Sequence, residues 1–456
     1  MGASTSTSPA AKPSCLFVTL GCAKNEVDTD RMRALLTADG FAEVFEVEQA
    51  DVILINTCSF LASATSESIE CTLELAEAVA EGVRTRPLVM CGCVPSRYGD
   101  ELAEELPEVA AFVRADEEDG IVAVVREVLG MDAQVDEPSG ERALRTIEGT
   151  SAYVKISDGC DRFCSFCAIP YIRGRYYSRP ASEILNEVEG LMEGGVREVV
   201  LIGQDTGVWG EDLEGKQTLA GLLRQVAEVV RPYEGWVRVL YLQPEGMTDE
   251  LIEVIRDVDE VLPYIDIPIQ HCSEEVLARM NRSGSAEQLR SLFARLRSEI
   301  PGMVLRTTAM AGFPGETEAQ ADELADFLAE QEFDYTSVFA YSPEEGTVAA
   351  TMDGQVGEAE MLERTQRLMD ISEQMGFAAT ARHVGERVSV IIDGIEEGDE
   401  GPELIGHTWF QAPDSDGAVH IEEGEARVGD IVTCDLVDSF CYELIGVMVN
   451  EEGSAQ

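Results

Sequence analysis

The chain has 456 residues, 45% of them hydrophobic, enough for several domains with their own cores, and no apolar run reaches membrane-spanning length. Its 87 acidic and 33 basic side chains give a net charge of −54, a surface that repels nucleic-acid phosphates and draws in a basic protein, unless the acidity serves solubility in a salty habitat. Twelve cysteines without a secretory signal point to a reducing cytoplasm, where thiols are metal ligands or core residues and not a disulfide framework.

Residues 1–14 are small and polar and read as a disordered tail. From Cys15 to Gly130 the apolar runs CLFVTL (15–20), DVILINT (51–57) and PLVMC (87–91) alternate with helix-like segments at 25–38 and 61–81. That alternation predicts an open, mostly parallel α/β sheet. Residues 131–150 are polar, with Pro and Gly, and read as a linker. Strand candidates then recur at 152–157, 197–203, 236–242, 264–270, 303–310 and 333–342. Helical stretches at 181–193, 217–230, 248–257, 286–298 and 316–330 separate them. Six βα units in series predict a partial parallel (βα)6 barrel of the TIM type, with a domain spanning 151–384 that ends in a long helix at 358–383. Residues 385–452 carry short β-branched runs broken by Gly and Asp, the pattern of a small antiparallel β-barrel.

Within the central domain, Cys160, Cys164 and Cys167 stand in SDGCDRFCSFCAIP. Three thiolates at CxxxCxxC spacing can hold three irons of a [4Fe–4S] cube and leave the fourth open. A structural zinc would need a fourth ligand, which this run lacks. An open iron can take the amino and carboxylate groups of S-adenosylmethionine. A second trio, Cys22, Cys58 and Cys93, is scattered in sequence, but each member lies just beyond the carboxyl end of an expected strand. In an open parallel sheet those ends converge on one crevice, so the fold itself predicts that the three can meet as a second cluster site. Asn25, Asn56 and Thr57 are candidate donors to its sulfurs. Cys91 lies inside a strand run and is read as core, as are Cys15, Cys71, Cys272, Cys434 and Cys441.

The segments TLGCAKNEVDTDRM, DVILINTCSF, GCVPSRYG, KISDGCDRFCSFCAIPYIRGRYYSRP, LIGQDTGVWG, DIPIQHCS and AGFPGETE, in this order, resemble the methylthiotransferases, a family of radical S-adenosylmethionine enzymes. The resemblance extends from Cys15 almost to the C-terminus. It implies two [4Fe–4S] clusters, bound S-adenosylmethionine, and a C-terminal TRAM barrel. LGCAKNEVDTDRM and GHTWFQAPDSDGAV (406–419) are similar to the branch that methylthiolates an aspartate β-carbon of small-subunit ribosomal protein S-twelve. The alternative is the branch acting on transfer-RNA adenosines, N6-isopentenyl- or threonylcarbamoyl-modified. From Glu386 to Gln456 there are eighteen Asp and Glu, two Arg and no Lys, which suits a basic ribosomal protein better than RNA. An electron donor and a sulfur donor are implied as further partners, and no membrane. The resemblance also implies that Phe166 leans toward the adenine, that Gly194 and Gly195 allow close approach of the methionine moiety, and that Gln204, Gln270, Arg306 and Gly312 lie on the active face of the barrel. Arg173, Arg175 and Arg179 are candidates to pair with a carboxylate, or are ordinary ion pairs.

Overall fold

The computed structural model describes residues 12–82, 85–132, 145, 147, 149–398, 401–421 and 424–449. The expected tail therefore lies almost wholly outside the described residues, as does most of the expected linker. The chain divides into two units. The first comprises Met1–Thr146 with Ile169–Gly174, the second Ile147–Ala168 with Arg175–Gln456.

The first unit is built on five strands: β1 (Ser14–Thr19), β2 (Ala42–Glu43), β3 (Val52–Thr57), β4 (Leu88–Gly92) and β5 (Val109–Arg114). All are parallel, in the order β2-β1-β3-β4-β5. Every residue of β3 and β4 is buried, because helices cover both faces. Val52 and Leu54 pack with Met32 and Leu36 of α1 (Ala23–Ala38), and Ile53 and Ile55 with Val79 of α2 (Ala62–Glu81). Burial on both faces is why these runs are continuously apolar. The strand order reverses between β1 and β3, which places a ligand crevice at their carboxyl ends. Strands β2 and β5 have no matching apolar run among the three sequence candidates.

The second unit opens with six parallel strands: β6 (Ser151–Lys155), β7 (Glu198–Ile202), β8 (Trp236–Val239), β9 (Tyr264–Asp266), β10 (Val304–Ala311) and β11 (Tyr335–Ala340). They form two three-stranded sheets, stitched where Val237 N–H donates to Glu260 O at 2.7 Å and Leu242 N–H to Asp266 O at 3.0 Å. The result is the expected partial barrel. Thr218, Thr248, Ser285 and Thr317 cap its outer helices by accepting backbone N–H bonds, and Thr317 with Gln320 forms a full capping box.

After the long helix Glu358–Ala381, five strands close a small barrel: β12 (Arg387–Gly398), β13 (Gly401–Thr408), β14 (Val419–Ile421), β15 (Ile431–Ser439) and β16 (Leu444–Met448). Its pairings are antiparallel except β14 with β16, which is parallel. This barrel packs under the amino ends of the six strands. Arg238 on β8 bonds Glu198 on β7 at 2.6 Å, both side chains fully buried. His407 reaches the same carboxylate at 2.7 Å and Asp393 at 2.6 Å. Beside them Asp416 accepts from Arg306 at 3.1 Å, from Ala412 N–H at 2.9 Å, and from the Tyr264 hydroxyl.

Burial alone would lower the His407 pKa, but Glu198 and Asp393 together push it up to about 9. A folded value above the ordinary 6.5 or so stabilises the fold fully below about pH 6.5, and that contribution is lost as pH rises through about 9. Thermal unfolding of the full chain should therefore occur at progressively lower temperature between pH 7 and pH 9.5, with on the order of 2–3 kcal/mol at stake. His407→Gln should flatten that part of the profile. An unchanged slope in the variant would show that the imidazole is not charged there.

Candidate functional site

At the crevice of the first unit, Cys22 precedes α1, Cys58 follows β3, and Cys93 begins the short helix Cys93–Tyr98 after β4. The three thiols feel one another electrostatically. Burial pushes Cys58 up to about 11 and raises Cys93, whose sulfur lies 3.7 Å from Nη2 of Arg173. Cys91 points into the sheet core and is fully buried. Gly21, at φ +107°, backs directly onto Cys58; a Cβ there would lie 2.6 Å from Cys58 Cβ. Asn25, Asn56 and Thr57 do not donate to the sulfurs as expected. Asn25 Nδ2 donates to Thr57 O at 2.9 Å, Asn56 Nδ2 to Asn25 O at 2.8 Å, and Thr57 Oγ1 to Cys91 O at 2.6 Å. Strand ends leave backbone carbonyls unpaired, and these side chains satisfy them, locking the loops that carry the thiols.

Cys160, Cys164 and Cys167 lie in the loop after β6, at the carboxyl face of the barrel. Ser165 N–H donates to Met280 O at 3.0 Å, Ser165 O accepts from Ala349 N–H at 2.8 Å, and Asn281 Nδ2 donates to the carbonyls of Arg162 and Phe163 at 3.1 and 3.0 Å. The loop is thus pinned from several sides. Burial raises the Cys160 pKa, and Asp205 and Cys164 add to the effect while Arg162 opposes it.

Gln204 follows β7; its Nε2 donates to Asp158 at 2.9 Å, while its Oε1 is buried with no partner. Asp205 binds Arg162 through Oδ2 at 2.5 Å and leaves Oδ1 buried and unpartnered. Phe166 is half-buried, edge-on to Phe313 at 6.5 Å. Gln270 holds φ +66° and bridges to β10. Gly312 lies just past β10 against Met361, where a Cβ would sit 2.3 Å from Met361 Cγ.

Two expectations require correction. Gly194 and Gly195 form the turn that ends the helix Ala181–Glu193, ahead of β7 and so at the amino face, opposite the cysteine loop. Arg306 is the third residue of β10, and its guanidinium serves Asp266, Asp416 and Ser337 at the barrel floor. Neither place can hold a ligand of the cysteine loop. Arg175 pairs with Asp161 on the surface and Arg179 with Glu187. Cys71 and Cys441 are only half-buried, not core. Sequence reasoning passed over Asp205, although it adjoins Gln204 in LIGQDTG, and His271 in DIPIQHCS. His271 Nδ1 accepts the Cys272 and Ser273 N–H groups at 3.0 and 2.9 Å. Its proton therefore sits on Nε2, buried with no hydrogen bond and 4.0 Å from Glu316 Oε2, and burial holds its pKa down to about 3.

Among the described residues no three His, Cys, Asp or Glu side chains converge to hold a single metal ion. Thiols too far apart for a single ion, with Gly21 backing Cys58, suit a cube, whose ligands stand farther apart than those of one ion. The unpartnered carbonyl and carboxylate oxygens of Gln204 and Asp205 suit the ammonium group of S-adenosylmethionine.

Three family models match: the uncharacterized protein family UPF0004 over residues 14–114, the radical SAM superfamily over 154–328, and the TRAM domain over 384–449. The ribosomal protein uS12 methylthiotransferase RimO of Trichlorobacter lovleyi is 41% identical over 97% of this chain and 99% of its own length. That of Geobacter sulfurreducens is 41% identical over 96% and 99%. The chain belongs to the RimO family of methylthiotransferases. The fold is shared with the radical S-adenosylmethionine methyltransferase TsrM of Kitasatospora setae, at TM-score 0.54 and 15% identity over 86% of this chain and 82% of that one. It is also shared with the cobalamin-dependent radical enzyme OxsB, at TM-score 0.51 and 13% identity over 79% and 56%.

Gly21→Ala should displace Cys58 and leave the other thiol loop untouched. Iron bound by the reconstituted protein should therefore fall. Gly195→Ala, whose new Cβ meets nothing within 4 Å, should cost about 1–2 kcal/mol from its left-handed backbone. It should leave S-adenosylmethionine affinity unchanged; a tenfold loss in equilibrium dialysis would restore the glycine pair to the binding site.

Proposed function

We propose that the chain is a radical S-adenosylmethionine methylthiotransferase that adds sulfur and a methyl group to the β-carbon of an aspartate in ribosomal protein uS12. The observation that carries this reading is the pair of cysteine trios, each at the carboxyl end of its own parallel sheet, in a chain 41% identical to named uS12 methylthiotransferases. Bound at Cys160, Cys164 and Cys167, a [4Fe–4S] cluster would supply the electron that makes a 5′-deoxyadenosyl radical from S-adenosylmethionine, and a second at Cys22, Cys58 and Cys93 would carry the sulfur.

The chain's own side chains do the holding. Asp158 holds Gln204 through its Nε2, which leaves the buried Oε1 available as an acceptor for an ammonium group. Arg162 similarly fixes Asp205. Phe166 offers an aromatic edge to the adenine, and Gln270 and Gly312 shape the wall beside it. The six strands exclude water behind this face, with Val199, Leu201, Val237 and Ile265 fully buried, which protects a reactive radical from side reactions.

The acidic C-terminal segment favours a basic protein over transfer RNA. Glu396, Glu397 and Glu425 are exposed there; the neighbouring Glu422 and Glu423 lie outside the described residues. A ribosomal substrate supports a cytoplasmic enzyme, one that would draw on an electron donor and a sulfur donor.

Replacing Cys160, Cys164 and Cys167 by Ala should halve the iron and abolish 5′-deoxyadenosine formation. The same change at Cys22, Cys58 and Cys93 should halve the iron, keep 5′-deoxyadenosine and stop methylthiolation. Mass spectrometry of uS12 and of transfer RNA incubated with the enzyme decides the substrate. Modified adenosine with unmodified uS12 would overturn the assignment. Binding to uS12 should weaken with salt, since exposed charges are screened over about 8–10 Å, and Glu396, Glu397 and Glu425 changed together to Lys should slow association more than turnover.

A further inference from the structure

We propose that Arg173 raises the reduction potential of the cluster held by Cys22, Cys58 and Cys93, by setting a buried positive charge against the Cys93 sulfur. The inference rests on the assignment of those three thiols as cluster ligands. Arg173 lies in Ile169–Gly174, the short segment that belongs to the first unit although its chain neighbours belong to the second. Its side chain is only 2% exposed. One guanidinium nitrogen, Nη1, is 2.8 Å from Asp28 Oδ2, itself 1% exposed on α1. The other, Nη2, is 3.7 Å from Cys93 Sγ.

Anchoring this segment would need only the bond to Asp28. The reach onward to sulfur is what points to a role at the site. Inside a protein a charge at this range is weakly screened. Reduction adds negative charge to a cluster and its thiolates, so a cation or donor at the sulfur favours the reduced form, and a nearby carboxylate opposes it. The Asp28 carboxylate, held by the other nitrogen of the same guanidinium, sets a negative charge against that of Arg173. Removing the two charges one at a time should therefore move the potential in opposite directions. A merely structural pair would perturb the site the same way whichever partner was removed.

The test is a redox titration followed by electron paramagnetic resonance on the full-length, anaerobically reconstituted protein. Arg173→Met should make the first-unit cluster harder to reduce by at least tenfold in equilibrium constant, ~59 mV for one electron. Asp28→Asn should make it easier to reduce. Arg173→Lys, which keeps the charge, should stay within about threefold of the unsubstituted protein by the same scale. The cluster of Cys160, Cys164 and Cys167 should not move in any of them. Shifts of the same sign for Arg173→Met and Asp28→Asn, equal shifts at both clusters, or no shift would overturn the proposal. If Arg173→Met fails to load iron, the other two variants decide: an unmoved lysine variant with a raised asparagine variant supports it, and an unmoved or lowered asparagine variant overturns it. About four irons in the unsubstituted protein, where two cubes need about eight, would overturn the cluster assignment and this proposal together.

Discussion

The carboxylate of Glu198 sits between two cations, Arg238 and His407, with none of the three groups appreciably in contact with water. An open six-stranded half-barrel has an exposed floor, and a floor of apolar residues alone would let the small C-terminal barrel dock in many registers. Directional charge pairs permit few. Burying ions is expensive, and the expense is recovered only when every partner is in place. Here Glu198 pairs with both cations and His407 also pairs with Asp393, while Arg238, whose two Nη atoms make no hydrogen bond, lies over the Tyr264 ring at 4.4 Å. The second charge group, Asp416 with Arg306 and Tyr264, repeats the device one strand further on. The first ties the strands to β12 and β13 and the second to the loop at 409–418, so the floor is closed by chemistry as well as by shape.

The reactive end is built on a different principle. At the carboxyl ends, strands give way to loops whose backbone groups need partners. In the first unit Asn25, Asn56, Thr57 and Ser68 supply them, and Ser68 Oγ both accepts from Cys58 N–H at 3.2 Å and donates to Cys58 O at 3.0 Å. Thiols held this way are placed by the backbone, and the Cys22 thiol also donates to Asn25 Oδ1 at 3.5 Å. Gly21 and Gly92 allow the approach: at Gly92, φ +89°, a Cβ would lie 2.2 Å from Asn56 Oδ1. In the second unit the cysteine loop is pinned in the same manner by Asn281, Met280 and Ala349, while polar atoms of Gln204, Asp205 and His271 remain buried and unpartnered. Unsatisfied groups of this kind are rare in folded proteins. These three lie just beyond the carboxyl ends of β7 and β9, on the side of the cysteine loop.

Much of this was legible in the sequence. Strand and helix positions follow from local periodicity and apolar runs, because a strand buried on both faces is apolar over most of its length, as VVLI (199–202) and VILI (52–55) are. The CxxxCxxC loop is local, and its chemistry reads directly from spacing. The scattered trio follows from one extra step, that parallel strands bring their carboxyl ends together. Cys93 and Cys91 are two residues apart, and the strand run already set Cys91 in the core and Cys93 beyond it, where a helix starts. Tertiary structure alone decided the rest. Arg306 carries a charge in a strand like any active-face candidate, but its place near the amino end of β10, set by pairing with β9 and β11, sends it to the floor. Gly194 and Gly195 precede a strand, and direction along that strand, not proximity in sequence, separates them from the cysteine loop. Asp28 and Arg173 are 145 positions apart, beyond any local pattern. A charge pair between them exists because folding excludes the water that would otherwise have satisfied each one separately.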